Sequence, residues 1–307
     1  GPFQVHEENF WIVLKLYECQ RRKDPKWSPW LAAMPRTFPE FSEAEQECLP
    51  YYAKYIAGYQ QLKFEKFLEA AEVICGEKMD HTQRDHFKWA FNAVGSRFWK
   101  TDSEIVENYQ PRSELVPLGD MFNHRDPPNV KIFHDHEKDA VCFVYMGGAE
   151  SEAECCYPKD LFITYGQPYN PHRFLMIFGF VPTDMRELWS HLLLSPTNAY
   201  GSDVAKMVFA CKDGMVAQRV WDAVLHELEP SKDLEALRLS PNYKWHAADV
   251  LNDHVTKQLE ELTSLRQKVD TTEGENMALI RLHNEFLTTV FGRVQANLKE
   301  ELEKGPR

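Results

Sequence analysis

Residues 111–182 interrupt a chain otherwise patterned for helices, and that interruption is what most limits the possible folds. Short apolar runs appear there at 115–118, 130–133, 141–145 and 161–164. They read as strands, separated by breakers such as Asp126-Pro127-Pro128-Asn129 and Gly147-Gly148. Upstream, residues 9–22 place Phe10, Val13, Leu14 and Tyr17 on one helical face. Residues 43–75 read as helix with Gly76 as a stop. Residues 82–99 space Phe87, Ala90, Phe91, Val94 and Phe98 at i, i+3, i+4 and i+7. The Pro- and Trp-rich stretch 24–39 reads as a surface loop pinned by Trp27 and Trp30. After Pro182 the pattern is helical to the end, with Val220, Trp221, Val224, Leu225 and Leu228 on one face and Ile280, Leu287, Phe291, Val294 and Leu298 on another. Residues 230–241 and 270–275 read as connections. Helices, a compact β region, then helices again predict an α+β chain and exclude the βαβ alternation of a doubly wound sheet.

Composition narrows the function. The chain of 307 residues is 43% hydrophobic and 13% aromatic, enough for a sizeable core. A formal charge of -12 offers no basic face for phosphate, so no nucleic-acid partner is expected; a basic peptide suits it better. Seven cysteines, with Cys155 and Cys156 merely adjacent, lack disulfide or metal spacing and point to a reducing, intracellular setting. No apolar run approaches a membrane span and no signal peptide is visible, so no membrane partner is expected. His134 and His136 flank Asp135 in a strand-like stretch, but a third ligand is missing; a solvated face is expected and no metal.

Two segments carry chemistry. The first reads Pro117-Leu118-Gly119-Asp120-Met121-Phe122-Asn123-His124. The second reads Ile163-Thr164-Tyr165-Gly166, then Asn170, then Phe178-Gly179-Phe180. Taken singly, each has a plain alternative. Asn123-His124 could be a turn, and Tyr165-Gly166 an ordinary strand end. Asn170 could cap a turn, and Arg97 could complement a helix C-terminus. Trp99 and Phe178 could be core.

In this order and spacing, the segments resemble those of the SET-domain protein methyltransferases, in the branch that modifies the Rubisco large subunit and related targets. Ala93-Val94-Gly95-Ser96-Arg97 is similar to that family's Ser-Arg at the end of its insert helix. The resemblance runs from about residue 9 onward. It implies a SET-type β fold with a helical insertion over 3–110, the C-terminal half of the SET domain over 111–182, and an all-α substrate-binding domain over 183–307. Gly1-Pro2 resembles a scar of tag removal. Implied too is an S-adenosylmethionine-dependent N-methyltransferase acting on lysine of a non-histone protein. Histidine N-methylation and a non-catalytic protein-binding module are the alternatives.

By the same resemblance, Tyr165 is the catalytic residue, Asn123 binds the methionine part of the donor, the backbone of His124 meets the adenine edge, and Arg97 lies beside the donor pocket. Phe180 and Trp99 are aromatic walls for the acceptor, suited also to a methylated ammonium. The sequence departs from the family in three places. Phe178 stands where Tyr is frequent. Gly119 stands where a larger residue is common, which would enlarge the acceptor pocket. No Gly-rich strand segment precedes Phe3, which leaves donor binding by the chain as given incomplete.

Overall fold

The computed structural model describes residues 8–101, 112–135, 138, 140–146, 160–165, 169–182, 187–191, 206–231, 233–240 and 242–305. In chain order these form α1 (Glu8–Arg22), α2 (Ser28–Ala33), α3 (Glu43–Glu47), α4 (Tyr51–Cys75) and α5 (His81–Arg97). Then come β1 (Trp99–Thr101), β2 (Arg112–Glu114), β3 (Asn123–His124), β4 (Val130–Asp135), β5 (Ala140–Tyr145) and β6 (Phe162–Ile163). They are followed by α6 (Pro171–Arg173), which runs into a π-helical turn (Phe174–Phe178), β7 (Glu187–His191) and β8 (Lys206–Ala210). Last are α7 (Gln218–Leu228), α8 (Leu234–Leu239), α9 (Tyr243–Thr271) and α10 (Met277–Glu303). The fold is α+β. The chain divides into two compact units, residues 1–38 with 58–167, and residues 39–57 with 168–307.

The first unit is built on three helices. Phe10, Val13 and Tyr17 of α1 meet Phe64, Phe67 and Ala71 of α4 and Phe87, Ala90, Phe91 and Val94 of α5. Edge-to-face rings join them, Phe10 on Phe67 at 5.3 Å and Phe67 on Phe91 at 5.7 Å. A capping box starts α5: the Asp80 side chain accepts from Gln83 N, and Gln83 answers to the Asp80 N–H. The helix ends at Arg97, two residues short of the sequence expectation, because Phe98 turns extended and Trp99 enters β1. The expected loop at 24–39 contains the helix α2, with Pro29 in its first turn.

The strands are short. β1 pairs antiparallel with β2, and β4 with β5 over six positions from Val130 opposite Tyr145 to Asp135 opposite Ala140. His134 lies buried on the inner face of β4, not on a solvated one; His136 is outside the described residues. Residues 115–118 are not a strand. Leu118 adopts a φ of 73°, which no extended strand accepts, and a 3-10 turn (Gly119–Met121) follows.

In the second unit, Pro50 breaks the helix predicted over 43–75 into α3 and α4, since proline has no N–H to carry the ladder on. β7 and β8 pair antiparallel where the sequence reading carries helix on from Pro182. From Gln218 on the unit is helical. α9 and α10 run antiparallel: Trp245 donates to the Leu302 carbonyl and Gln295 to Thr256 Oγ1. The predicted stripe Ile280, Leu287, Phe291, Val294 and Leu298 is buried.

Two histidines, the buried His283 and the half-buried His254, are expected to make this unit acid-sensitive. Burial pushes His254 and His283 down from 6.5 to about 4, and Nε2 of each lacks a partner among the described residues. Their folded-state values lie below the unfolded one, so the unfolded chain takes up the protons. Stability is full above the unfolded value and falls as pH drops from 6.5 towards about 4. The slope is about 1.4 kcal/mol per pH unit for each histidine at most. Denaturant unfolding across this range is expected to show that loss, and His283→Gln to reduce its slope; equal slopes would contradict the assignment.

Candidate active site

The two motif segments meet in the first unit. β3 pairs in parallel with β6, Asn123 opposite Phe162 and His124 opposite Ile163. The pairing continues as Arg125 N–H donates to the Ile163 carbonyl at 3.1 Å. Asn129 closes the edge: its Oδ1 accepts from Phe162 N at 2.7 Å and its Nδ2 donates to the Asp160 carbonyl at 3.0 Å. Tyr165 follows directly. Its backbone N–H donates to His124 Nδ1 at 3.2 Å, the two rings lie 5.3 Å apart, and its hydroxyl donates to the Phe122 carbonyl at 2.9 Å. With Nδ1 accepting, the His124 ring proton belongs on Nε2.

The turn before β3 is anchored from behind. Arg97, at the last turn of α5, donates to the Asp120 carbonyl and pairs with its Oδ2 at 3.5 Å. The Asp120 side chain has 0% exposure. Trp30 Nε1 donates to Asp120 Oδ1 at 3.1 Å. Burial pushes the Asp120 carboxyl up, against the pull of Trp30 and Arg97. Burial also pushes the Tyr165 phenol up, opposed by Arg97. Tyr165 is therefore a neutral phenol at neutral pH. Its proton is directed at the Phe122 carbonyl.

The space expected above Gly119 is filled. A Cβ built there would stand 2.2 Å from Phe143 Cζ and 2.8 Å from Trp99 Cη2. Phe143, from β5, packs edge-on against both Trp99 at 5.7 Å and Phe122 at 5.2 Å. Glycine thus admits two aromatic rings and does not widen a pocket. Gly119→Ala is expected to cost about 1–3 kcal/mol by overpacking, with partial recovery when Phe143→Leu is added. Denaturant titration of the single and double variants checks this, and additive costs would contradict it.

The other predicted residues lie in the second unit. Phe180 packs edge-on against Phe174 at 5.3 Å, with Phe178 beside it at 6.4 Å. Asn170 is buried and caps α6, its Oδ1 accepting from Arg173 N at 3.1 Å. Of the sequence candidates, then, Tyr165, Asn123, His124 and Arg97 come together, and Trp99 reaches the same turn through Gly119. Sequence reasoning missed the parts of Trp30, Phe143 and the Phe122 carbonyl. Only Asp120, inside the first motif, signalled the anchor.

Rubisco LSMT bound to AdoMet superposes with a TM-score of 0.65 at 15% identity, over 96% of this chain and 76% of that one. The SET domain of LSMT bound to lysine and AdoHcy gives 0.61 at 13%, over 95% and 75%. The chain has the SET-domain fold. The LSMT SET domain with methyl-lysine and AdoHcy matches similarly, with a TM-score of 0.59 at 13% identity, over 98% and 78%. No family model and no curated protein matches the sequence. The SET-domain likeness therefore lies in the path of the backbone far more than in residue identity. No helix among the described residues is long and apolar enough to cross a membrane.

Proposed function

We propose that this SET-fold chain is an S-adenosylmethionine-dependent N-methyltransferase acting on lysine of a protein other than a histone. The observation that carries the reading is the Tyr165 hydroxyl on the Phe122 carbonyl, one residue before Asn123. It sets a phenol oxygen beside the residue that, by resemblance, holds the donor. The chemistry the donor supplies is an electrophilic methyl on a positive sulfonium.

The residues present fit such a molecule. Asn123 is exposed, and its carboxamide takes no hydrogen bond among the described residues. It can therefore meet the charged groups of an amino-acid moiety. Arg97 keeps an Nε–H that no described residue accepts. The backbone of His124, fixed by β6, supplies a rigid edge for a planar base. Tyr165 orients the incoming amine through its hydroxyl oxygen, and an apolar site favours a neutral nitrogen over an ammonium. The acidic charge of -12 suits a basic substrate segment.

Calorimetric titration with S-adenosylmethionine tests the donor half; binding is expected, weakened about tenfold in Asn123→Ala. Transfer of labelled methyl to glycine-rich peptides carrying a single lysine or a single histidine tests the acceptor half. Lysine is the expected acceptor. Absence of donor binding would sink the whole reading, and transfer to histidine alone would sink its second half.

A further inference from the structure

Trp30 was expected to pin a surface loop, yet its contact is polar and specific. The indole N–H reaches across the first unit to a carboxylate that has no exposed side-chain surface. Packing alone would accept any large ring at this position. What only the indole supplies is a donor to a buried charge, and buried charge is tolerated only where such donors exist.

The anchored carboxylate sits in a turn that needs holding. Leu118 has φ 73° and ψ -43°, a conformation unfavourable for any residue with a Cβ. It gains nothing from burial in return, being 77% exposed. Strained backbone of this kind persists only where its surroundings over-determine it. Here the surroundings are Asp120 N–H on the Val116 carbonyl at 3.0 Å, Met121 N–H on the Leu118 carbonyl at 3.1 Å, Arg97 on the Asp120 carbonyl, and Trp30 on Asp120 Oδ1. The same turn leads at once into the carbonyl that receives Tyr165 and into Asn123.

We infer that Trp30 is a positioning residue for this site: its indole N–H holds the Asp120 carboxylate, and through it fixes the turn that presents the Phe122 carbonyl and Asn123. The inference rests on the reading of Asn123 as a donor-binding residue. The groups that bear on Asp120 are Trp30 from α2, Arg97 from α5 and the Tyr165 phenol after β6. Trp30 and Arg97 both favour the carboxylate against burial. Without the indole donor, Asp120 takes a proton at a higher pH and releases its hold on Arg97. Donor binding then fails sooner on the acid side.

The test is S-adenosylmethionine binding by calorimetry, followed from neutral to acidic pH, in the whole chain and two variants. Trp30→Phe keeps a ring and loses the donor. It is expected to bind about tenfold more weakly at neutral pH, with the acid limb of the binding profile moved towards neutrality. Asp120→Asn cannot titrate and is expected to lose that limb. A Trp30→Phe profile that overlays the wild type within about twofold, limb included, overturns the inference and leaves the donor reading intact. Should Trp30→Phe fail to fold, Asp120→Asn decides: a limb unchanged in that variant overturns the inference. Wild-type protein that binds no S-adenosylmethionine overturns the donor reading, and the inference with it.

Discussion

Tyr165→Phe is expected to lower the rate of methyl transfer by about 100-fold or more, with S-adenosylmethionine affinity changed by no more than about twofold. The substitution removes one oxygen and keeps the ring beside His124. That oxygen belongs to a phenol raised by burial, so it does not serve as a base in the neutral range. Its service is directional. Because the hydroxyl donates to the Phe122 carbonyl at 2.9 Å, its lone pairs face a fixed direction and can order an acceptor amine for in-line approach. An interaction of that kind strengthens as charge moves onto the nitrogen, so its loss falls on the transfer step more than on binding. The structural cost is small, about 1 kcal/mol for one neutral hydrogen bond. Single-turnover transfer, with calorimetry on the same preparation, separates these effects. Unchanged transfer would remove Tyr165 from the catalytic role, while a large loss of donor affinity would reassign it to binding.

The helices of both units were largely legible because their cores obey helical spacing. Phe87, Ala90, Phe91 and Val94 are buried as their i, i+3, i+4 and i+7 positions demand, and so are Ile280, Leu287 and Phe291. The β4–β5 hairpin was legible for a similar reason, being long enough to show apolar runs between breakers. Strands of two or three residues carry no period. Of these, only β6 showed, inside the apolar run 161–164; β1, β2 and β3 exist because separate segments pair, and nothing local in Trp99–Thr101 announces it.

The candidate site divides along the same line. Motif order nominated Asn123, His124 and Tyr165, and the parallel β3–β6 pair joins them. Spacing could not tell that Leu118 leaves the extended region, a choice made by the anchor at Asp120 and not by leucine. Nor could it tell that the gap at Gly119 is taken by Phe143, a residue 24 positions away whose ring arrives only through the hairpin register. A missing side chain reads as space in a sequence, whereas a close-packed interior fills it.

Arg97→Ala is expected to destabilise the first unit by about 3–5 kcal/mol at neutral pH, a larger effect than its 3.5 Å ion pair alone would give. The reason is what remains. The Asp120 side chain is fully shielded from solvent, and with Arg97 gone its carboxylate keeps the Trp30 N–H and its own backbone N–H but no positive charge, while its backbone carbonyl loses a donor. The loss is therefore mostly the cost of a stranded charge and not the worth of the pair.

Two consequences distinguish this account from simple loss of packing. First, the defect should shrink as pH falls. Burial already holds the Asp120 carboxyl above its ordinary value, and removing Arg97 lifts it further. A folded-state value above the unfolded one means that the folded chain binds the proton more tightly, so stability is gained as pH drops through the folded value and lost as pH rises through it. Second, replacing both partners with apolar residues of similar size, Arg97→Met with Asp120→Leu, should restore most of the stability, because no charge is left to strand. Donor binding should not return with it, since Arg97 is also assigned beside the donor. Denaturant unfolding of the single and double variants, at neutral and acidic pH, reads all of this. A single variant within about 1 kcal/mol of the wild type at neutral pH would show that Asp120 is not an uncompensated buried charge without Arg97.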